Sequence, residues 1–249
     1  MNPFRILGDL SHLTSILILI HNIKTTRYIE GISFKTQTLY ALVFITRYLD
    51  LLTFHWVSLY NALMKIFFIV STAYIVVLLQ GSKRTNTIAY NEMLMHDTFK
   101  IQHLLIGSAL MSVFFHHKFT FLELAWSFSV WLESVAILPQ LYMLSKGGKT
   151  RSLTVHYIFA MGLYRALYIP NWIWRYSTED KKLDKIAFFA GLLQTLLYSD
   201  FFYIYYTKVI RGKGFQTAKI KKKPVLNSVR SNIYKFQYIN AIPKEKKNT

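Results

Sequence analysis

Long apolar stretches alternate with short polar and basic segments along most of the chain. A helix needs about 20 apolar residues to cross a bilayer, because unpaired backbone groups are too costly in hydrocarbon. Stretches that reach or approach that length lie at 4–22, 33–53, 56–80, 98–116, 119–143, 152–174 and 186–207. The pattern predicts an all-α integral membrane protein with seven transmembrane helices. The fourth stretch is short and the first carries Arg5, Asp9 and His12, so a reading with six helices stays open. No cluster of positive charge precedes the first apolar run and no small-residue cleavage site follows it, so a retained helix is expected there.

Three helices, an isolated fourth and three more suit two triple-helix bundles joined by a linker helix, as in transporters built from parallel repeats. The apolar periodicity ends after residue 207, which divides the chain into a membrane domain, 1–207, and a basic cytosolic tail, 208–249, expected to be disordered. Composition agrees with the membrane class: 53% of residues are hydrophobic and 16% aromatic. The formal charge of +18 would in isolation suggest nucleic acid as a partner. Twelve of the basic residues and one acid fall in the tail, however, so nucleic acid is not expected and anionic membrane lipid is. With no cysteine, disulfides and thiolate metal sites are excluded.

Lys and Arg also fix the expected orientation. Lys24, Arg27, Lys35, Lys83, Arg84, Lys146, Lys149, Arg151 and the tail fall on one side. Lys118, Lys181, Lys182 and Lys185 fall on the other. The N-terminus is therefore expected in the lumen and the C-terminus in the cytosol.

Ionisable residues inside spans are costly and usually face a bundle interior or a wet cavity. At about 100° per residue, Asp9 and His12 lie about 40° and 20° from Arg5, on one face of the first helix. Arg47 and Asp50 are i, i+3 neighbours in the second. In the fifth, Trp126 and Glu133 lie about 60° and 80° from Glu123. In the sixth, Tyr164, Tyr168, Asn171, Trp172 and Arg175 share a stripe about 100° wide.

Given the orientation, Arg5, Arg47, Asp50, Glu123 and Arg175 lie toward the lumenal ends of their helices, with His12, Glu133 and Tyr164 nearer the midplane. Three arginines with two acids at their level predict a positive cavity open to the lumen, suited to a ligand with several carboxylates. Trp126 and Trp172 are placed to stack on a cationic or aromatic end of it. The alternative for single residues is ordinary: Arg5 or Arg175 as an interfacial anchor, the Trp and Tyr residues as belt residues, His12 as a packing residue. Imidazole alone titrates, unperturbed, between near-neutral and mildly acidic compartments, so His12 beside Tyr164 and Glu133 is a candidate pH switch.

Several long segments resemble one family, the K/HDEL receptors of the early secretory pathway. They are MNPFRILGDLSHL from Met1, RYLDLLT at 47–53, HDTFK at 96–100, WLESVAILPQL at 131–141, LYRALYIPNWIWRY at 163–176 and YSDFFYIYYTKV at 198–209. The resemblance runs from residue 1 to about 212. It implies a fold related to PQ-loop and SWEET-type transporters, and cycling between cis-Golgi and endoplasmic reticulum. The implied ligand is the C-terminal HDEL or KDEL signal of escaped lumenal proteins. Its carboxylates would be read by Arg5, Arg47 and Arg175 with Tyr48, and its first residue by Asp50, Glu123 and Trp172. His12, Tyr164 and Glu133 would be the proton switch. Asp200 would serve retrograde transport, and Lys208, Arg211 and Lys213 would begin a sorting tail that meets COPI coatomer.

The chain continues about 35 residues past Gly214 without resemblance to the family. It ends in Lys246, Lys247, Asn248 and Thr249, a dilysine pattern suited either to coatomer or to a merely solvated or lipid-touching tail. No nucleophile and base pairing, phosphate loop or metal cluster stands out; no enzyme activity, metal or cofactor is expected. The alternative function is a proton-coupled small-solute transporter of the PQ-loop class, whose shared feature here is Pro139 and Gln140. No second Pro-Gln pair occurs in the first helix.

Overall fold

The computed structural model describes residues 2–53, 58–146, 152–178 and 183–210, and the described residues outside loops are helical. The tail beyond 210, with Arg211, Lys213, Lys246 and Lys247, lies outside the described residues.

Local chemistry sets most helix starts. Asn2 caps α1 (Pro3–His21) by accepting from the Arg5 backbone N–H at 2.9 Å, and Pro3 occupies the first turn, where its missing N–H costs nothing. A short π-helical turn, Asn22–Thr26, extends α1. Ser33 caps α2 (Phe34–Arg47), and Asp184 caps α9 (Lys185–Tyr205). Between them run α3 (Leu59–Thr85), α4 (Thr87–His96), α5 (Gln102–Phe114), α6 (Phe121–Val135), α7 (Leu138–Ser145) and α8 (Ser152–Thr178).

These bounds refine the seven expected stretches. The second ends early: the helix stops at Arg47 and residues Leu49–Thr53 form a 3-10 turn. The third runs past its expected end and is followed by α4, which no expectation covered. The fifth is broken at Ala136 and Ile137, because in a continuous helix the Pro139 ring would meet the Val135 carbonyl. Among the described residues, four stretches are long and apolar enough to cross a membrane by length and composition: Pro3–Thr26, Leu59–Thr85, Phe121–Ser145 and Lys185–Tyr205. α8 is as long as α3, but its apolar run is interrupted by Arg165, Asn171 and Arg175.

α1 packs along α8 over most of its length, and α2 lies against α6 and α3. α9 bridges α8 and α6, while α5 lies on α6. α1–α3 and the set α6, α8 and α9 thus form two groups that meet through α1 with α8 and α2 with α6, with α7 against α2, around a core that includes Ile16, Leu39, Val43, Leu132, Ile158 and Tyr198. Gly8 permits a close approach between α1 and α8: a Cβ there would stand 2.8 Å from the Tyr168 ring.

At one end of this assembly sits a polar node. Asp97, between α4 and α5, accepts from the Ser33 hydroxyl at 3.0 Å and the Lys35 N–H at 2.8 Å. Gln140 donates to the Gly31 carbonyl at 3.0 Å, accepts from the Ser33 N–H at 2.8 Å, and its own N–H reaches Thr36 Oγ1 at 3.0 Å. Burial pushes the Asp97 carboxyl up from its ordinary value, against these hydrogen bonds. The node clamps the start of α2 to α7 and the α4–α5 link.

Candidate functional site

The opposite end of the assembly gathers the starts of α1, α3 and α6 and the ends of α2 and α8. Two adjoining cavities lie there. One, of about 350 Å³, is lined by Arg47, Tyr48, Asp50, Lys65, Glu123 and Trp126 among others. The second, of about 250 Å³, is lined by Arg5, Asp9, Tyr48, Tyr60, Asn61, Lys65 and Tyr168 with Met64 and Phe68. Tyr48 and Lys65 line both.

The elements position these groups for local reasons. Arg5 and Asp9 face the second cavity one helical turn apart, 3.9 Å from each other. Arg5 also donates to Asn61 Oδ1 at 3.2 Å, and Tyr60 donates to Asp9 at 3.4 Å. Tyr168, brought against α1 by Gly8, donates its hydroxyl proton to the other oxygen of Asp9. In the first cavity, the 3-10 turn after α2 presents Asp50 to the Lys65 ammonium.

Beneath the cavities a charge cluster centred on a buried carboxylate crosses between the two helix groups. Glu133 is 1% exposed, and the same oxygen, Oε2, is met by Arg47 from α2 and Arg165 from α8. Arg47 Nε donates to Ser129 at 3.1 Å, and its second η nitrogen is buried without a hydrogen-bond partner. Arg165 donates to Gln194 Oε1 at 2.8 Å and to the Tyr164 hydroxyl at 3.0 Å. Next to it His12 is stacked between Phe68 and Tyr164, with ring centroids 4.5 and 4.3 Å away. Its Nε2 is buried and lacks a hydrogen-bond partner.

Most of the expected residues converge. Arg5, Arg47, Tyr48, Asp50, Glu123, Trp126 and Tyr168 line one or other cavity, and His12, Tyr164 and Glu133 form the layer below. Others are used differently. Asn171 is buried and accepts from Asn2 at 2.9 Å, tying the two helix ends together. Trp172 packs its edge against Tyr168 and Phe188, over Gly191, and lines neither cavity. Arg175 is half-buried near the end of α8 and also lines neither. Asp200 is exposed on α9, and Lys208 lies in the short π-helical turn after it.

The geometry also amends the expected charge balance. Of the three arginines expected at the level of two acids, Arg5 stands beside Asp9 and Arg47 beside Glu133, and a further cation, Lys65, stands beside Asp50. A cation in a membrane interior needs a counter-charge, and these helices supply one each. Periodicity missed two of the participants. Lys65 was passed over because it sits alone on its helix. Arg165 lies about 20° beyond the edge of the polar stripe of α8. Its signal was available in one form: Glu133 near the midplane required a partner, and Arg165 is the charge at matching depth on α8.

Helices long and apolar enough to span, packed around charges that only a protein interior can hold, define a multi-pass α-helical membrane protein with a charge-paired cavity system at one end. The family follows from comparison with known proteins. A model of the ER lumen protein retaining receptor matches residues 28–175. An ER lumen protein-retaining receptor of Saccharomyces cerevisiae is 99% identical over 219 residues, covering 88% of this chain and 100% of that protein. One from Kluyveromyces lactis is 60% identical over 214 residues, 86% of this chain and 97% of the relative. One from Drosophila melanogaster is 51% identical over 216 residues, 87% of this chain and 99% of the relative. The chain belongs to the ER lumen protein retaining receptor family.

Proposed function

We propose that this protein is a receptor without enzymatic chemistry that captures the C-terminal His-Asp-Glu-Leu or Lys-Asp-Glu-Leu signal of lumenal proteins that have escaped the endoplasmic reticulum. In this reading residues 1–207 form seven spans in two triple-helix bundles of the PQ-loop type, with the N-terminus in the lumen. The cavities then open to the lumen of the cis-Golgi, and the basic tail, 208–249, reaches COPI coatomer and anionic lipid for retrograde return. Asp200, Lys208, Arg211 and Lys213, with the terminal Lys246 and Lys247, are the groups assigned to that sorting step.

The observation that carries the reading is the pair of adjoining cavities, each holding a cation already matched to an acid, in a member of a family of retention receptors. A ligand with three carboxylates and a basic first residue exchanges for those internal partners. Its terminal carboxylate goes to Tyr48 and the spare nitrogen of Arg47, one side-chain carboxylate to Arg5, and its basic end to Asp50 and Glu123 beneath Trp126; Arg175 and Trp172, which line neither cavity, are assigned the other carboxylate and the basic end by resemblance to the family alone. A proton on His12 would place a new cation beside Glu133, in competition with Arg165, and couple ligand capture to the acidity of the compartment.

The transporter alternative is less well supported by the position of Gln140. Its side chain is spent on the backbone of the segment before α2, at the far end from the cavities. Two measurements on protein in lipid nanodiscs and proteoliposomes separate the readings. The receptor reading expects saturable binding of a Lys-Asp-Glu-Leu peptide and no uptake of sugars or amino acids; uptake without peptide binding favours the transporter.

A further inference from the structure

We propose that Lys65 is a built-in competitor for the ligand's basic first residue, standing where the two cavities meet. The inference rests on the receptor reading and deepens it, by naming a residue that sets first-position selectivity.

Lys65 lines both cavities, and its ammonium is paired with the Asp50 carboxylate, 5.7 Å from the centre of the Tyr48 ring. The occupied carboxylate is the acceptor that a ligand cation entering the larger cavity would need. The pair is not sealed: the Lys65 and Asp50 side chains are 28% and 51% exposed. Ion pairs of that exposure are weakly held and exchange readily. Lys65 also hangs on a flexible four-carbon stem, unlike the forked guanidinium groups around it.

Size points the same way. Ligand pockets usually hold about 300–1,000 Å³. At about 350 and 250 Å³ the two cavities are individually at or below the lower end of that range. A peptide of four residues therefore requires both, and Lys65 with Tyr48 is what stands between them. When the ligand's cation takes Asp50, the Lys65 ammonium is released toward the cavity lined by Arg5 and Asn61. A ligand without a basic first residue leaves Lys65 on Asp50 and is indifferent to it. Selectivity is then the difference between two cations for one carboxylate.

The test compares two peptides, Lys-Asp-Glu-Leu and Ala-Asp-Glu-Leu, by calorimetry on the full chain in nanodiscs. The quantity read is the ratio of their dissociation constants, Ala-first over Lys-first. Lys65→Met removes the competitor, and the ratio is expected to rise by about two- to fivefold, the range for removing an exposed ion pair. Lys65→Arg keeps a competitor and is expected to leave the ratio near the wild-type value. In an Asp50→Asn background, Lys65→Met is expected to leave the ratio unchanged.

An unchanged or lower ratio in Lys65→Met overturns the proposal. So does loss of binding of both peptides in both Lys65→Met and Lys65→Gln, since removing a competitor does not abolish binding. Wild-type protein that binds neither peptide overturns the receptor reading itself, a result distinct from either of these.

Discussion

Arg47 and Arg165, from different helix groups, converge on a single oxygen of Glu133. The contact links α2, which leads into Tyr48 and Asp50, to α8, which carries Tyr168, through a carboxylate that is 1% exposed. Removing one member of a buried charge cluster leaves the others uncompensated, at a cost of about 3–5 kcal/mol. Glu133→Ala is therefore expected to lower stability by about that amount, read as a lowered melting temperature in detergent. Exchanging both arginines for methionine in the same variant should recover much of the loss, because the orphaned charges are gone.

Gly8 brings α1 close against the Tyr168 ring of α8. Adding a methyl group there displaces the Tyr168 ring, whose hydroxyl holds Asp9. Overpacking of this kind costs about 1–3 kcal/mol. Gly8→Ala is expected to lower the melting temperature and weaken peptide binding. Gly81 and Gly107 have open space around them, so alanine at either should leave binding at the wild-type level.

His12 is flanked on both faces by aromatic rings, and its Nε2 has no hydrogen-bond partner. His12→Phe keeps the stack with Phe68 and Tyr164 and removes the titrating group. It is expected to remain folded and to bind peptide with the same affinity at pH 6 and at neutral pH, whereas the wild-type protein binds more tightly at the lower pH. A pH dependence that persists in His12→Phe would assign the switch to another group.

Gln140 makes hydrogen bonds to Gly31, Ser33 and Thr36 in a buried node far from the cavities. Truncation to alanine leaves the Ser33 N–H and the Gly31 carbonyl without their side-chain partner, at about 1–3 kcal/mol for each buried group left unsatisfied. Gln140→Ala is expected to lower thermal stability while preserving peptide affinity. Loss of affinity at constant stability would make Gln140 a ligand-binding residue instead.

What was legible in the sequence was what helical periodicity carries. Arg5 and Asp9 were expected on one face and stand 3.9 Å apart, because i, i+4 geometry is local. Tyr164 and Tyr168 were expected to face inward and both do. Pairing between helices was not legible, since a period says which face a residue takes and not which neighbour that face meets. Arg47 and Asp50 illustrate the limit. They line one cavity, as their spacing suggested, yet the backbone leaves the helix at Tyr48, with φ −108° and ψ 25°, and each takes a partner from a different helix. Lys65 and Arg165 belong to that same class of long-range pairing.

The central claim is that the cavities receive a free C-terminal carboxylate between Arg47 and Tyr48. Its most direct test is calorimetric titration of the full chain in nanodiscs at pH 6 with two peptides ending in Lys-Asp-Glu-Leu, identical except that one carries a C-terminal amide. The receptor assignment predicts saturable binding of the acid and none of the amide at the same concentration. Equal binding of the two would contradict it.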